Sequence, residues 1–271
     1  MGAEKFRFDG KRVLVVGGAT GMGAAAARVA GELGGAVTVL DIAAVEYPTA
    51  ATLRVDLSDR ASVDSALSQL GGFEVLFSCA GIADGPDLMR INFISQRHII
   101  DTMVGDGRLA TGAAVGMISS IGGYAWQDNV AQCLDFLASQ TWDAMEAWIT
   151  SHEGTNNYGF SKQAMNTYVA REALGFAKRG MRINALMPGA VDTPLARKNP
   201  DTWLPFQGDF REATGHPRLD PEQMGNALAF LCMDAASGVN GATLVADDGY
   251  VPSGVTHTLD SPMLAMVVGQ A

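Results

Sequence analysis

The feature that most restricts this chain is a strand signal running without a break into a glycine turn and then a helix signal. Arg12-Val13-Leu14-Val15-Val16 is a short apolar run rich in β-branched residues, the pattern of a strand buried on both faces. Gly17-Gly18-Ala19-Thr20-Gly21-Met22-Gly23 follows at once, and 24–33 is alanine-rich. Such a unit aims free backbone N–H groups and the positive end of a helix dipole at one point, where a pyrophosphate binds well. Glycines are needed because a Cβ would hold the ligand off the backbone. The helix is expected to stop at Gly34-Gly35, and a second apolar run, Ala36-Val37-Thr38-Val39-Leu40, ends at Asp41. A carboxylate about 20 residues past the turn suits a hydrogen bond to a ribose 2′-hydroxyl and repels a 2′-phosphate. No arginine or lysine follows Asp41 closely, so the pattern favours NAD(H) over NADP(H).

Strand and helix signals then alternate to the end. Strands are expected at 53–56, 74–78, 113–119, 182–187 and 242–246. Helices are expected at 59–70 (capped by Ser58), 86–104, 158–179 (ended by Gly180) and 221–233. This alternation predicts an α/β fold, a Rossmann-type doubly wound parallel sheet with helices on both faces. With 271 residues, one such domain over 1–271 is expected. Ligands should bind beyond the carboxyl ends of the strands.

Composition excludes several classes. A net charge of −10 argues against nucleic acid and anionic membranes as partners. No stretch approaches the roughly 20 apolar residues of a membrane span, and no charged n-region precedes an apolar segment. Cys79, Cys133 and Cys232 are few, odd in number and scattered, so they are expected to be reduced, buried thiols of a cytoplasmic protein. His98, His152, His216 and His257 have no ligand spacing, and no metal site is expected.

The chemistry is concentrated at Tyr158 and Lys162, four residues apart and therefore on one helix face. A phenol has a pKa near ~10, and a nearby ammonium favours its ionised form, moving it toward the range of a general acid/base.

With these motifs the chain resembles the short-chain dehydrogenase/reductase family over nearly its whole length. Gly17, Gly21 and Gly23 match the family's glycine turn, and Asp56, before Leu57, matches its adenine-contacting aspartate. The Asn-Asn-Ala-Gly segment appears as Ser78-Cys79-Ala80-Gly81, which leaves side-chain support of the adenine pocket in question. Asn92 matches the active-site asparagine, Ser120 the catalytic serine, and Pro188, Gly189 and Thr193 the segment that holds the nicotinamide. The resemblance implies NAD binding by Gly17, Thr20, Gly21, Met22, Gly23, Asp41, Asp56, Leu57, Ala80, Gly81, Tyr158, Lys162, Pro188, Gly189, Val191 and Thr193. It implies that Tyr158 carries the proton and that Lys162 lowers its pKa and binds the nicotinamide ribose. Ser120 would orient the substrate oxygen, and Asn92 would hold a water in a proton relay from Lys162. The expected reaction interconverts secondary alcohols and ketones; reduction of carrier-bound 3-oxoacyl groups and non-catalytic NAD sensing are the alternatives. The first would want basic residues at the entrance, and the second usually lacks the tyrosine or lysine.

Ser120 and Tyr158 stand 38 positions apart, far beyond the family's usual spacing. The extra stretch, about 126–155, has apolar residues at three- and four-residue steps and predicts one or two amphipathic helices before the catalytic helix. An insertion here resembles the bacterial 3α-hydroxysteroid dehydrogenase/carbonyl reductase branch, which implies bulky apolar or cyclic substrates. The segment 194–220 reads as loop, with Trp203, Leu204, Phe206 and Phe210 available for an apolar lid. The apolar tail from Ser261 to Val268 is expected to pack at the pocket mouth or on a neighbouring subunit. A homodimer is expected, because the insertion emerges beside one of the family's two helical interfaces and leaves the other, around 221–233 and the last strand, open.

Overall fold

In the computed structural model, which describes residues 2–198, 200–203 and 205–269, strands and helices alternate from the start. The first half runs β1 (Arg12–Val16), α1 (Gly21–Glu32), β2 (Ala36–Asp41), β3 (Ala51–Arg54), α2 (Arg60–Leu67) and β4 (Phe73–Ser78). A π-helical turn, Arg90–Ile94, leads into α3 (Ser95–Gly105), followed by β5 (Leu109–Ile118). Then come α4 (Val130–Leu137), α5 (Trp142–Ser151), the long α6 (Tyr158–Lys178) and β6 (Arg182–Pro188). Three short helices, α7 (Pro194–Lys198), α8 (Pro200–Trp203) and α9 (Gly208–Thr214), precede α10 (Pro221–Cys232) and β7 (Thr243–Ala246). α11 (Tyr250–Val255) and α12 (Pro262–Val267) end the described chain.

Among the described residues seven strands form one parallel sheet, in the order β3-β2-β1-β4-β5-β6-β7. Side chains alternate across the sheet, so β1 feeds two cores. Val13 and Val15 join Val37 and Val39 under α1 and α10, whereas Leu14 and Val16 join Leu76 and Val115 under α3 and α6. α10 lies close on α1 because Gly225 faces Ala25; a Cβ there would come within 2.8 Å of its backbone. Among the described residues no helix is long and apolar enough to cross a membrane.

Several local expectations need correction. Asp59, not Ser58, caps α2 by accepting from the Ala61 N–H, while the Ser58 hydroxyl donates to Asp56. The Asp59 carboxylate reaches the open helix end, and Ser58, one residue earlier, is held by Asp56. The segment 194–220 is not plain loop but carries α7, α8 and α9. Leu204, named for the lid, lies outside the described residues. Cys133 and Cys232 are buried, but Cys79 is only partly so because it faces the ligand cleft.

The stretch 126–155 forms a short 3-10 turn, α4 and α5. Both helices pack on α6, and α4 also packs on the π-helical turn before α3: Phe136 meets Phe93 at 5.5 Å and Phe160 at 5.7 Å, and Trp148 stacks on Phe160. Arg97, 2% exposed on α3, donates to the Ser139 carbonyl between α4 and α5. The apolar tail packs on its own chain, with Leu264 buried against Tyr250, Val251 and Ile121.

Candidate active site

The carboxyl ends of β1 and β2 and the start of α1 form one end of a cleft. Gly17 adopts φ +79°, and a Cβ there would sit 2.5 Å from the Ala80 backbone. At Gly23 a Cβ would collide with the Gly17 carbonyl at 2.0 Å. Two strand ends and a helix meet there at distances only glycine permits. Thr20 is the N-cap of α1 but makes no side-chain cap bond, and the first turn holds no acid. The helix therefore presents its N–H groups and positive dipole end to the cleft uncompensated.

Asp41, at the end of β2, accepts from the Ala19 N–H (2.8 Å) and from the Ala43 N–H (2.9 Å). Its carboxylate thereby braces the glycine turn while lining the cleft. Tyr47 supports the same turn, donating its hydroxyl hydrogen to the Gly18 carbonyl. Asp56 lines the cleft with Leu57; its carboxyl is held below the usual range by the Ser58 hydroxyl and backbone N–H. Thr20, Gly21, Met22, Ala80, Gly81 and Thr193 complete the wall.

The loss of the family's two asparagines before Ala80 has a structural answer that sequence reasoning missed. Ser78, at the end of β4, donates to Gln96 Oε1, and Gln96 is fully buried. Gln96 Nε2 donates to the carbonyls of Ala80 (2.8 Å), Ile91 (2.8 Å) and Asn92 (3.1 Å). A glutamine on α3 thus ties the Ala80–Gly81 wall to the π-helical turn, whose displaced register frees those carbonyls. The only signal for it was the altered Ser78-Cys79 pair.

Beyond the cleft lies a chamber walled by Ser120, Tyr158, Pro188, Gly189, Val191 and Thr193. Ser120 follows β5, and its Oγ accepts from the Gly122 N–H at 3.0 Å. Asn157 caps α6 by accepting from the Phe160 N–H at 2.9 Å, which places Tyr158 at the first position of the helix. Gly123 lets the Ser120 turn press on α6, since a Cβ would meet the Lys162 backbone at 2.8 Å. Burial raises the Tyr158 pKa above that of an ordinary phenol, and the neighbouring Ser120 hydroxyl draws it part of the way back.

Lys162 is 3% exposed, and its Nζ donates to the Ile118 carbonyl at 3.0 Å. Burial lowers its pKa to about 8, with Cys79 opposing. Its ammonium lies 5.5 Å from the centre of the Tyr158 ring. Around the phenol, burial is the larger influence and raises the Tyr158 pKa, while Lys162 Nζ is held by the Ile118 carbonyl. Asn92 is fully buried and held by the chain around it. Its Oδ1 accepts from the Ile82 N–H (2.8 Å), and its Nδ2 donates to the Ile82 carbonyl (3.0 Å) and Ser161 Oγ (3.3 Å). The side chain braces the loop after β4.

The segment after β6 is set by Gln207, 4% exposed, whose Oε1 accepts from the Ala190 N–H at 2.7 Å. Trp203 of α8 meets the Tyr158 ring edge to face at 5.3 Å, and Phe206 links Trp203 to Tyr250. The short helices therefore close over the tyrosine. Among the described residues no cluster of histidine, cysteine or acidic side chains could hold a metal.

A family model described as enoyl-(acyl carrier protein) reductase matches residues 17–251. Cis-4-hydroxycyclohexanecarboxylate dehydrogenase of Sinomonas cyclohexanicum is 31% identical over 261 residues, covering 90% of this chain and 97% of that protein. The 3-alpha-hydroxysteroid dehydrogenase/carbonyl reductase of Comamonas testosteroni is 27% identical, with 88% and 95% covered. In structure, the 3-alpha-hydroxysteroid dehydrogenase from Pseudomonas sp. B-0831, complexed with NADH, superposes with a TM-score of 0.71 at 21% identity, covering 92% of this chain and all of the other.

Proposed function

The chain belongs to the short-chain dehydrogenase/reductase family and is an oxidoreductase of that class, and from this premise we propose that it interconverts secondary alcohols and ketones with NAD(H). Its substrates are bulky and apolar, or cyclic. The observation that carries the reading is the placement of Tyr158, beside Ser120 and above Lys162, in the chamber that opens off the glycine-lined cleft. Support for ring alcohols comes from the relatives named for a hydroxycyclohexanecarboxylate and a 3-alpha-hydroxysteroid.

The cleft fits a dinucleotide. The uncapped first turn of α1 suits a diphosphate, and the absent Cβ atoms at Gly17 and Gly23 let backbone approach it. Asp41 offers an acceptor for a ribose hydroxyl and a negative charge against a 2′-phosphate. Bound there, the nicotinamide supplies or accepts the hydride. Tyr158 donates its phenolic proton to the substrate oxygen during reduction and takes a proton back during oxidation. The Ser120 hydroxyl bonds the same oxygen, so that charge building on it meets a fixed dipole. Lys162, with its pKa near 8, is the next proton carrier behind the phenol.

The three free thiols support a cytoplasmic setting. Phe230 on α10 and Leu244 on β7, each 40% exposed, support a homodimer through that face.

The test is NAD+ reduction, followed by nicotinamide absorbance, across cyclic, aromatic and steroid secondary alcohols. Turnover is expected with ring alcohols and weaker with NADP+. No turnover of any alcohol by folded protein that binds NADH would overturn the reading. Asp41→Ala should narrow the NAD(H) preference, and tighter NADP(H) binding by the unmodified protein would contradict it.

A further inference from the structure

The catalytic chamber holds two polar groups that the reaction leaves unused. The first is the Trp203 indole N–H, which is buried with no hydrogen-bond partner among the described residues while the ring rests against Tyr158. A buried N–H left unpaired is costly, so such a donor is suited to an acceptor that arrives with a ligand. The second is Arg218, which lines the same chamber as Trp203, Ser120 and Tyr158. A backbone bridge positions it: the Asp192 N–H donates to the Leu219 carbonyl at 2.9 Å, and the Leu219 N–H donates to the Ala190 carbonyl at 3.2 Å.

The remaining walls near these groups are apolar, from Pro188, Val191, Leu195 and Ala196. Among the described lining residues the only charged side chain is the Arg218 guanidinium. That is notable in a chain with 29 acidic against 19 basic residues. Part of the arginine's field acts on Asp192, whose carboxyl is held low first by Arg197 and further by Arg218. A guanidinium has five donors in a fork and can serve a protein carboxylate and a ligand anion at once.

We propose that Trp203 and Arg218 form the anion-recognising end of the substrate pocket, and that the substrate is a ring secondary alcohol or ketone bearing a carboxylate. The reacting carbon faces Tyr158, and the carboxylate takes hydrogen bonds from the guanidinium and the indole. This rests on the alcohol–ketone reading above and names the substrate class within it.

The experiment compares 4-oxocyclohexanecarboxylate, its methyl ester and 4-methylcyclohexanone as substrates at saturating NADH, with NADH binding measured separately. The unmodified protein should favour the acid over the ester in kcat/KM by at least about tenfold, the scale of one hydrogen bond to a charged group. In Arg218→Met the acid-to-ester ratio should fall to near unity through a raised KM for the acid. Trp203→Phe keeps an aromatic ring against Tyr158, removes the N–H together with part of the indole, and should move the ratio the same way by less, with KM for the neutral ketones as the control for lost ring volume. Two results overturn the proposal: no preference for the acid in the unmodified protein, or an Arg218→Met variant that weakens NADH binding and leaves the ratio unchanged. The second would assign the arginine to the dinucleotide's phosphates. Turnover of the neutral ketones without preference for the acid sinks this inference alone, whereas turnover of none of the three by NADH-binding protein sinks the alcohol–ketone reading with it.

Discussion

Tyr158 is the residue on which the reaction turns. Replacing it with phenylalanine keeps the ring against Trp203 and removes only the proton carrier. In Tyr158→Phe turnover should fall by at least ~10²-fold while NADH affinity stays near that of the unmodified protein. Undiminished turnover in a folded variant would move the proton to another group. Lys162 makes a separate prediction through stability. Burial lowers its pKa from the usual 10.5 to about 8, so the unfolded chain holds this proton more tightly than the folded one. The cost of burying the ammonium is present in full below about pH 8 and is relieved as pH rises from there toward 10.5. Lys162→Met lacks this titration, so the unmodified protein should gain on the variant by up to about 3 kcal/mol across that window. Urea midpoints of both proteins at the two ends of the range measure it, and a flat difference would count against a buried, proton-holding lysine.

At the scale of elements, the stretch between Ser120 and the catalytic helix is a brace for α3 and α6. Phe136 of α4 is fully buried and sits 5.5 Å from Phe93 and 5.7 Å from Phe160, two residues past the proton carrier. Phe136→Ala leaves a cavity among three rings and should cost about 3–5 kcal/mol in urea denaturation. A loss under about 1 kcal/mol would mean that α4 is dispensable to the core. The periodicity of 126–155 was enough to read helices there, because both carry an apolar face over two or more turns. The lid was not readable in the same way. Helices of four to seven residues, such as α8 and α9, are too short for a 3.6-residue period to show against loop composition.

For the whole molecule, α4 and α5 pack against α6, where Leu174 stays exposed, and α10 and β7 present exposed Phe230 and Leu244, the face proposed for the dimer. Light scattering at micromolar concentration should therefore give the mass of a dimer, and Phe230→Asp should shift it toward the monomer. A monomer for the unmodified protein ends the dimer reading. A tetramer ends the argument that the insertion blocks an interface.

The sheet and its ligand edge were legible in the amino-acid order because their determinants are local. A parallel strand buried on both faces is a continuous apolar run, and a close backbone approach admits only glycine, so β1, β2, β4, β6 and the Gly17–Gly23 turn announce themselves. Tyr158 and Lys162 were legible for a similar reason, since four residues on a helix share a face. What sequence could not supply is whatever depends on groups that meet only after folding. Gln96 is an ordinary helical polar residue until Ser78 and three freed carbonyls surround it. Trp203 and Arg218 lie far along the chain from Tyr158 and reach its chamber only through the folded lid. The shifts at Tyr158 and Lys162 depend on how deeply both groups are buried. Burial and partner choice are properties of the packed molecule, and only the tertiary structure decided them.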